Sequence, residues 1–292
     1  MKTIGYLGLG VMGYGMTSNL IDKSGTTIYG YDPVPALRER FAQRGGKALE
    51  TGQELYETCD IIFMCLPTNA IVKATITEIL ETAKPGTTLV DMGSTSPYVI
   101  QELHAAALKK GFQLLDSPVS GGEIGANGGT LVIMCGGEKE VFDEVKPYLE
   151  MMGKTVTYMG PSGCGSTAKV ANNMMVGIHL LAMGEAFAFA TKAGLDPHTL
   201  FDAIKGGFAQ SAVMDLKVPK LLSRDFSASA RIAVHLKDIN NAMDVASHLG
   251  VELPMTEIVK EQMDWMDQHG MIDEDQCALA KYYEDAMGVE IK

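Results

Sequence analysis

The sequence predicts an α/β domain in its first half and an all-helical domain in its second, joined by one long helix. Two patterns predict it. Up to about residue 160, short apolar runs of strand length alternate with amphipathic segments of helix length. From Ser166 onward only helical patterns recur, punctuated by glycine and proline. A third observation is scale, since 292 residues with 46% hydrophobic content can bury an extensive core.

The elements follow in order. "TIGYLG" is read as a strand before a helix over 12–23, "TIYGYD" before 34–44, "DIIFMCLP" before 69–82 and "TTLVDMG" before 97–110. This alternation builds a parallel sheet wrapped by helices. Further strands are expected at "FQLLDSPV", "GTLVIMCGG" and "KTVTYMG", with a helix over 138–152. In "MGPSGCG", 159–165, a proline and three glycines end a strand and open a helix, so the boundary is placed between a first domain, 1–163, and a second, 164–292. The segment 166–193 is apolar on nearly every side after Met174, as expected of a helix buried between neighbours. Helices are then read at 197–206, 209–222, 230–249, 254–269 and 273–287.

Composition narrows the function classes. A formal net charge of −12 without a basic run argues against nucleic acid or an anionic membrane as partner. No signal-peptide pattern is found, nor an apolar stretch approaching the roughly 18 residues of a membrane span, so a cytoplasmic protein is expected. Five cysteines without a CxxC pair and six scattered histidines without HExxH imply neither a disulfide framework nor a metal site.

"GLGVMGYGM", residues 8–16, holds glycines at GxGxxG spacing after a strand, opens a helix, and is trailed about 20 residues on by Asp32. Together these predict a Rossmann-type dinucleotide-binding domain. Gly8 is expected to permit the tight turn, Gly10 to let the backbone approach a pyrophosphate, and Gly13 to let helix and strand pack closely, with Leu9, Val11 and Met12 completing the loop. Asp32 can accept bonds from the adenosine ribose, where a 2′-phosphate would meet its charge. It is followed by Pro33, Val34 and Pro35, and the nearest arginine is Arg38, so NAD is favoured over NADP. Leu66 and Pro67, closing the "DIIFMCLP" run, are also assigned to the cofactor.

In "GCGSTAKVANN", Lys169 and Asn173 lie four residues apart and share one helix face. A lysine early in an apolar helix is desolvated unless paired or functional, which moves its pKa toward a useful range; its bland alternative is a lysine at a domain rim with its head in water. "DSPVSGGEIGANGGT" places Ser120, Gly121 and Gly122 straight after a strand, where backbone amides can form an anion-holding nest.

Four motifs in order, "GLGVMGYGMTSNL", "DSPVSGG", "GCGSTAKVANN" and "HLKDINNA", resemble those of the beta-hydroxyacid dehydrogenases, over essentially the whole chain. The resemblance implies that Lys169 is the catalytic acid/base, that Ser120, Gly121 and Gly122 hold the substrate carboxylate, and that Asn173 positions the substrate. It also implies that Lys237 reaches the active site near the nicotinamide and that Ser94 or Thr95 of "DMGSTSP" contacts the cofactor. Arg231 is expected either to help hold an anionic substrate or to form an interdomain ion pair, and His235 to be a structural hydrogen-bonding residue. "SGGE", "AIKGGFAQSAVMD", "RIAVHLKDI" and "ALAKYYE" look most like the branch that reduces 2-hydroxy-3-oxopropionate (tartronate semialdehyde) to glycerate. The alternative is 3-hydroxyisobutyrate or another 2-substituted 3-hydroxy acid, and a more distant one is a noncatalytic NAD-binding sensor.

Departures from the family pattern are Gly15 in place of proline, Thr17 in place of serine or alanine, Ala230 before Arg231 where phenylalanine is frequent, and Gln276 of "DQCAL" where histidine is frequent. Asn172 counts against the decarboxylating 6-phosphogluconate dehydrogenases, which show histidine there, and the presence of Lys169 counts against imine reductases. Cys164, with no base placed to activate it, is read as a packed residue and not as a nucleophile. The apolar long helix and 19 methionines fit extensive packing, and a homodimer or homotetramer is expected by analogy.

Overall fold

The computed structural model describes residues 2–292, and the chain divides into two units, Met1–Lys169 and Val170–Lys292. In the first, the elements run β1 (Ile4–Leu7), α1 (Val11–Lys23), β2 (Ile28–Tyr31), α2 (Pro35–Gln43), β3 (Lys47–Ala48), α3 (Gly52–Thr58), β4 (Ile61–Met64) and α4 (Asn69–Thr82). They continue with β5 (Thr88–Asp91), α5 (Pro97–Lys109), β6 (Gln113–Asp116), β7 (Val119–Ser120), α6 (Gly122–Gly128), β8 (Leu131–Gly136), α7 (Lys139–Met152) and β9 (Gly153–Gly160).

The sheet order is β3-β2-β1-β4-β5-β6-β8-β7, with β9 pairing β8. From β3 to β6 the strands are parallel and follow the Rossmann order, while β8 runs antiparallel to β6 and β7 and parallel to β9. Strands β1, β4 and β5 are buried throughout, as expected where helices cover both faces. Alternate residues feed opposite layers: Ile61 and Phe63 join a core with Tyr6, Leu20 and Leu115, whereas Ile62 and Met64 join one with Leu55, Ile76 and Leu103.

The second unit is helical: most of α8 (Cys164–Lys192), then α9 (Pro197–Ile204), α10 (Ala212–Leu222), α11 (Ile232–Leu249), α12 (Pro254–Gln268), a 3-10 turn over Gln276–Leu279 and α13 (Ala280–Met287). Its core gathers Leu180, Phe187, Val218, Ile239, Met263 and Leu279. Fully buried Asp275 accepts from Lys217 Nζ at 2.8 Å, from the Ser229 hydroxyl at 2.7 Å and from the Ala230 and Cys277 amides, tying the start of α11 to the 3-10 turn.

Several sequence expectations are corrected. The helix expected over 273–287 is broken, because Asp275 pairs in an isolated β-bridge with Arg231 before the 3-10 turn begins. Arg231 is extended, so α11 starts at Ile232 and not at 230. Helix α8 is not covered on every side: Ala171, Met175, His179, Ala182, Ala186 and Phe189 form an exposed stripe at helical spacing. By length and composition α8 also passes as a possible membrane span, contrary to the expectation of no such stretch, yet Leu180, Leu181, Met183 and Phe187 are core residues of the helical unit.

Three short elements went unpredicted. Strand β3 has only two residues. Helix α3 carries a readable signal, a capping box in which Thr51 accepts from the Glu54 amide and the Glu54 side chain accepts from the Thr51 amide. Helix α6, "GEIGANG", has three glycines and poor intrinsic propensity. Packing holds it: a Cβ at Gly15 would lie 2.8 Å from the Ala126 carbonyl carbon, and the buried Asn19 amide donates to the Ala126 carbonyl at 2.9 Å. The glycine that replaces the family's proline at position 15 is therefore where α1 and α6 touch.

Candidate active site

The turn after β1 is shaped by two glycines. Gly8 has φ +87°, and a Cβ there would lie 2.5 Å from the Cys65 carbonyl oxygen and 3.3 Å from a Leu66 methyl carbon. A Cβ at Gly13 would collide with the Gly8 carbonyl, so this glycine is demanded chiefly by the turn itself, with the Tyr6 ring of β1 a second neighbour at 3.3 Å. At Gly10 a Cβ would meet nothing within 4 Å, and Val11 beside it is exposed. Helix α1 has Gly10 as N-cap, no capping side chain and no acid in its first turn, whereas α3 and α4 are capped by Thr51 and Thr68. Open space at Gly10 above an uncapped helix start fits a dinucleotide pyrophosphate.

Asp32 follows β2 and is buried, its carboxylate accepting from the Leu9 amide and the Val34 amide, both at 2.9 Å. It braces the glycine loop, a role beyond the expected ribose contact, and its oxygens retain further lone pairs. Arg38 donates to the Asp32 carbonyl at 2.9 Å and to Glu50 at 3.3 Å. Leu66 is half-buried and Pro67 exposed, both just past β4. After β5, Thr95 is buried with its hydroxyl donating to Asp91 at 2.5 Å, while Ser94 is half-buried, so Ser94 is the one with surface to offer a ligand. These residues follow the C-terminal ends of β1, β2, β4 and β5, where the strand order reverses, the usual ligand crevice of such sheets.

Ser120 ends β7, and Gly121 and Gly122 follow with φ +132° and +58°, conformations side chains rarely adopt. Both glycines are exposed, and the α6 that Gly122 opens is fastened to α1 through Gly15 and Asn19. The Ser120–Gly122 loop and α1 are thus mechanically joined, and sequence reasoning missed Asn19, whose amide donates both to Gly15 within α1 and to Ala126 across 107 residues.

Helix α8 starts against β6. Its first turn is held by Asp116, and Lys169 follows, half-buried. Cys135, on β8, is fully buried, and burial pushes its thiol up to about 12, against a hydrogen bond from Ser117.

In the helical unit, buried Asn173 donates from Nδ2 to Asp238 at 2.5 Å, and its Oδ1 accepts from Asn172 at 2.9 Å. Asp238 also pairs with Lys237 at 3.1 Å. His235 Nδ1 receives the Gln276 side-chain amide at 3.0 Å, which assigns the proton to Nε2, and Nε2 donates to the Asn173 carbonyl at 2.9 Å. Gln276, the departure in "DQCAL", thereby sets the tautomer of His235. Asp238 was missed, although positions 235, 238, 239 and 242 trace the buried face of α11 and an acid there marks a paired group. Arg231 is exposed and lies 3.3 Å from Asp273, so its ion pair stays within the helical unit and is not interdomain.

Sheet order, glycine loop and the buried aspartate after β2 together fit an NAD(P)-binding oxidoreductase fold. Residues 3–160 match the family described as the NAD binding domain of 6-phosphogluconate dehydrogenase, and residues 163–283 the one described as NAD-binding of NADP-dependent 3-hydroxyisobutyrate dehydrogenase. The chain is 36% identical to 2-hydroxy-3-oxopropionate reductase of Escherichia coli, over 96% of this chain and 97% of that one. It is 34% identical to 2-(hydroxymethyl)glutarate dehydrogenase of Eubacterium barkeri, over 99% and 97%. The solved structure of 3-hydroxyisobutyrate dehydrogenase from Mycobacterium tuberculosis with L-serine superposes with a TM-score of 0.88 at 32% identity, covering 97% of this chain and 99% of that one. The chain belongs to the beta-hydroxyacid dehydrogenase family and is an NAD(P)-dependent enzyme of that class.

Proposed function

We propose that the protein reduces 2-hydroxy-3-oxopropionate to glycerate with NADH, Lys169 acting as general acid and, in reverse, as general base. The bound nicotinamide supplies or accepts the hydride at the carbonyl carbon. Lys169, as ammonium, gives its proton to the carbonyl oxygen; as the neutral amine it takes the hydroxyl proton in oxidation. Ser120 and the amides of Gly121 and Gly122 hold the carboxylate, which sets the distance between anion and reacting carbon and selects a beta over an alpha hydroxy acid. Asn173 orients the substrate, itself oriented by Asp238; the family resemblance assigns Lys237 to the nicotinamide end of the site, and Arg231, paired with Asp273, is the secondary candidate for the charge of an anionic substrate.

The observation carrying this reading is the spacing on α8, where Lys169 precedes by one turn an Asn173 whose amide is fixed by Asp238. The Escherichia coli relative supports the hydroxyl substituent; 3-hydroxyisobutyrate or another 2-substituted acid is the alternative, favoured by the Mycobacterium tuberculosis superposition. Asp32 supports NAD, because a 2′-phosphate beside it would face its charge while Arg38 is engaged with Glu50 and the Asp32 carbonyl. Cytoplasmic residence is supported by five widely spaced cysteines without a CxxC pair. The stripe Ala171, Met175, Ala182, Ala186 and Phe189 on α8 supports a homodimer or homotetramer.

The test is oxidation of NADH and NADPH with tartronate semialdehyde, methylmalonate semialdehyde and a longer 3-oxo diacid, for the native protein and Lys169→Ala. Turnover is expected fastest with tartronate semialdehyde and NADH. A preference for another 3-oxo acid replaces the substrate assignment, and no turnover despite tight NADH binding favours a sensor.

A further inference from the structure

Among the fully buried carboxylates, Asp116 stands at a junction the mechanism has not used. It is the last residue of β6 and faces the start of α8: one carboxylate oxygen accepts from the Gly163 amide at 2.9 Å and the other from the Ser166 amide at 2.7 Å. Two glycines make room for this. A Cβ at Gly165 would lie 2.5 Å from the Asp116 carbonyl oxygen, and one at Gly136 would lie 2.7 Å from both the Asp116 carboxylate and the Gly165 amide nitrogen. Burial raises the Asp116 carboxyl pKa, and the two amides oppose that rise.

The first amides of a helix have no partner inside it, so its opening turn frays unless something accepts from them. A carboxylate supplies charge-assisted bonds and complements the positive end of the helix dipole. Ser166 and Lys169 are three residues apart, less than one turn, so the direction of the Ser166 amide sets where the Lys169 stem leaves the helix. From Asp116 the chain leaves β6 through Ser117 and Pro118 and enters β7, which ends at Ser120.

We infer that Asp116 is a positioning residue for Lys169: its carboxylate locks the opening turn of α8 to the strand that leads into the Ser120 loop, fixing proton donor and anion loop to one support. The inference rests on the reading of Lys169 as acid/base. Asp116 acts through the backbone and does not meet the reacting atoms, so its loss displaces the lysine while leaving the glycine loop after β1 intact.

The test compares native protein, Asp116→Asn, Asp116→Ser and Lys169→Ala, using tartronate semialdehyde and NADH. Both Asp116 variants are expected to lose about tenfold or more in kcat, with KM and the Kd of NADH each within about threefold, because a displacement on the order of 1 Å is enough to cost that rate. Hydrogen exchange of the amides of 163–169, which needs no substrate, is expected to accelerate in both. A kcat within about twofold of native, or unchanged exchange, overturns the inference. Loss of NADH binding in parallel with kcat, or failure of both variants to fold, also overturns it, since Asp116 would then support the whole unit. Native turnover in Lys169→Ala overturns the reading of the lysine itself; an inactive Lys169→Ala beside a fully active Asp116→Asn removes this inference alone.

Discussion

The nucleotide unit and the helical unit build their functional surfaces from different materials. Around Gly8, Gly13, Gly121 and Gly122 the first uses backbone shape, with Asp32 and Asn19 bracing the loops. The second uses a relay of side chains, Gln276 to His235 to the Asn173 backbone, and Asn173 to Asp238 to Lys237. Their buried aspartates differ in the same sense. Asp116 is held by backbone amides and its carboxyl is raised by burial. In Asp275 burial also pushes upward, but bonds from Lys217, Ser229 and the Cys277 amide outweigh it and hold the carboxyl well below the usual range. At Gly8 and Gly13 the backbone-built turn has no room for an added atom, whereas a side-chain relay weakens in steps.

The largest effect on cofactor binding should follow Gly13→Ala, because its Cβ meets a backbone carbonyl that cannot move without opening the turn. NADH affinity is expected to fall at least about a hundredfold by fluorescence titration, roughly 2.7 kcal/mol. Gly10→Ala sharpens the contrast: nothing meets the new Cβ, so thermal stability should hold while NADH affinity still falls as the methyl occupies the phosphate approach. Equal loss of stability in both variants would break the distinction.

Next comes the buried pair of the helical unit. Asp275→Asn leaves the Lys217 ammonium buried without its counter-charge, at a cost of about 3–5 kcal/mol in chemical denaturation. The pH dependence has a definite sign. The folded carboxyl of Asp275 titrates below its unfolded value of about 3.9, so its stabilisation is present above that pH and is lost as pH falls below it. Asp116 contributes the opposite sign, since a raised carboxyl is relieved by protonation. The loss of stability below about pH 4 should therefore be shallower in Asp275→Asn, which lacks this titrating group; an unchanged acid profile would contradict this.

A smaller loss is expected at Asp238→Asn. It removes the charge that orders Asn173 and Lys237, and kcat/KM should fall about tenfold, near 1.4 kcal/mol, with NADH affinity close to native. An unchanged kcat/KM would mean the relay orients nothing used in turnover.

The same contrast explains what could be read from the chain alone. The glycine loop, Asp32 and the Lys169–Asn173 spacing were legible because each is a short-range pattern tied to a fixed backbone geometry. Asp238, Gln276, Asn19 and Asp116 were not, because for each a defining partner lies far along the chain: Asn173 is 65 residues from Asp238, His235 41 from Gln276, Ala126 107 from Asn19 and Gly163 47 from Asp116. Helix α6 was hidden by its glycines and is held by tertiary packing, while α3 was readable from its capping box. At Arg231, residue type alone could not distinguish a partner in the other domain from Asp273 nearby.

The most direct measurement of the central claim is kcat for Lys169→Ala against the native enzyme with tartronate semialdehyde and NADH, with NADH affinity measured on both. A loss of about a hundredfold or more in kcat at unchanged NADH affinity is predicted for removal of a general acid. Native turnover in the variant would contradict the account.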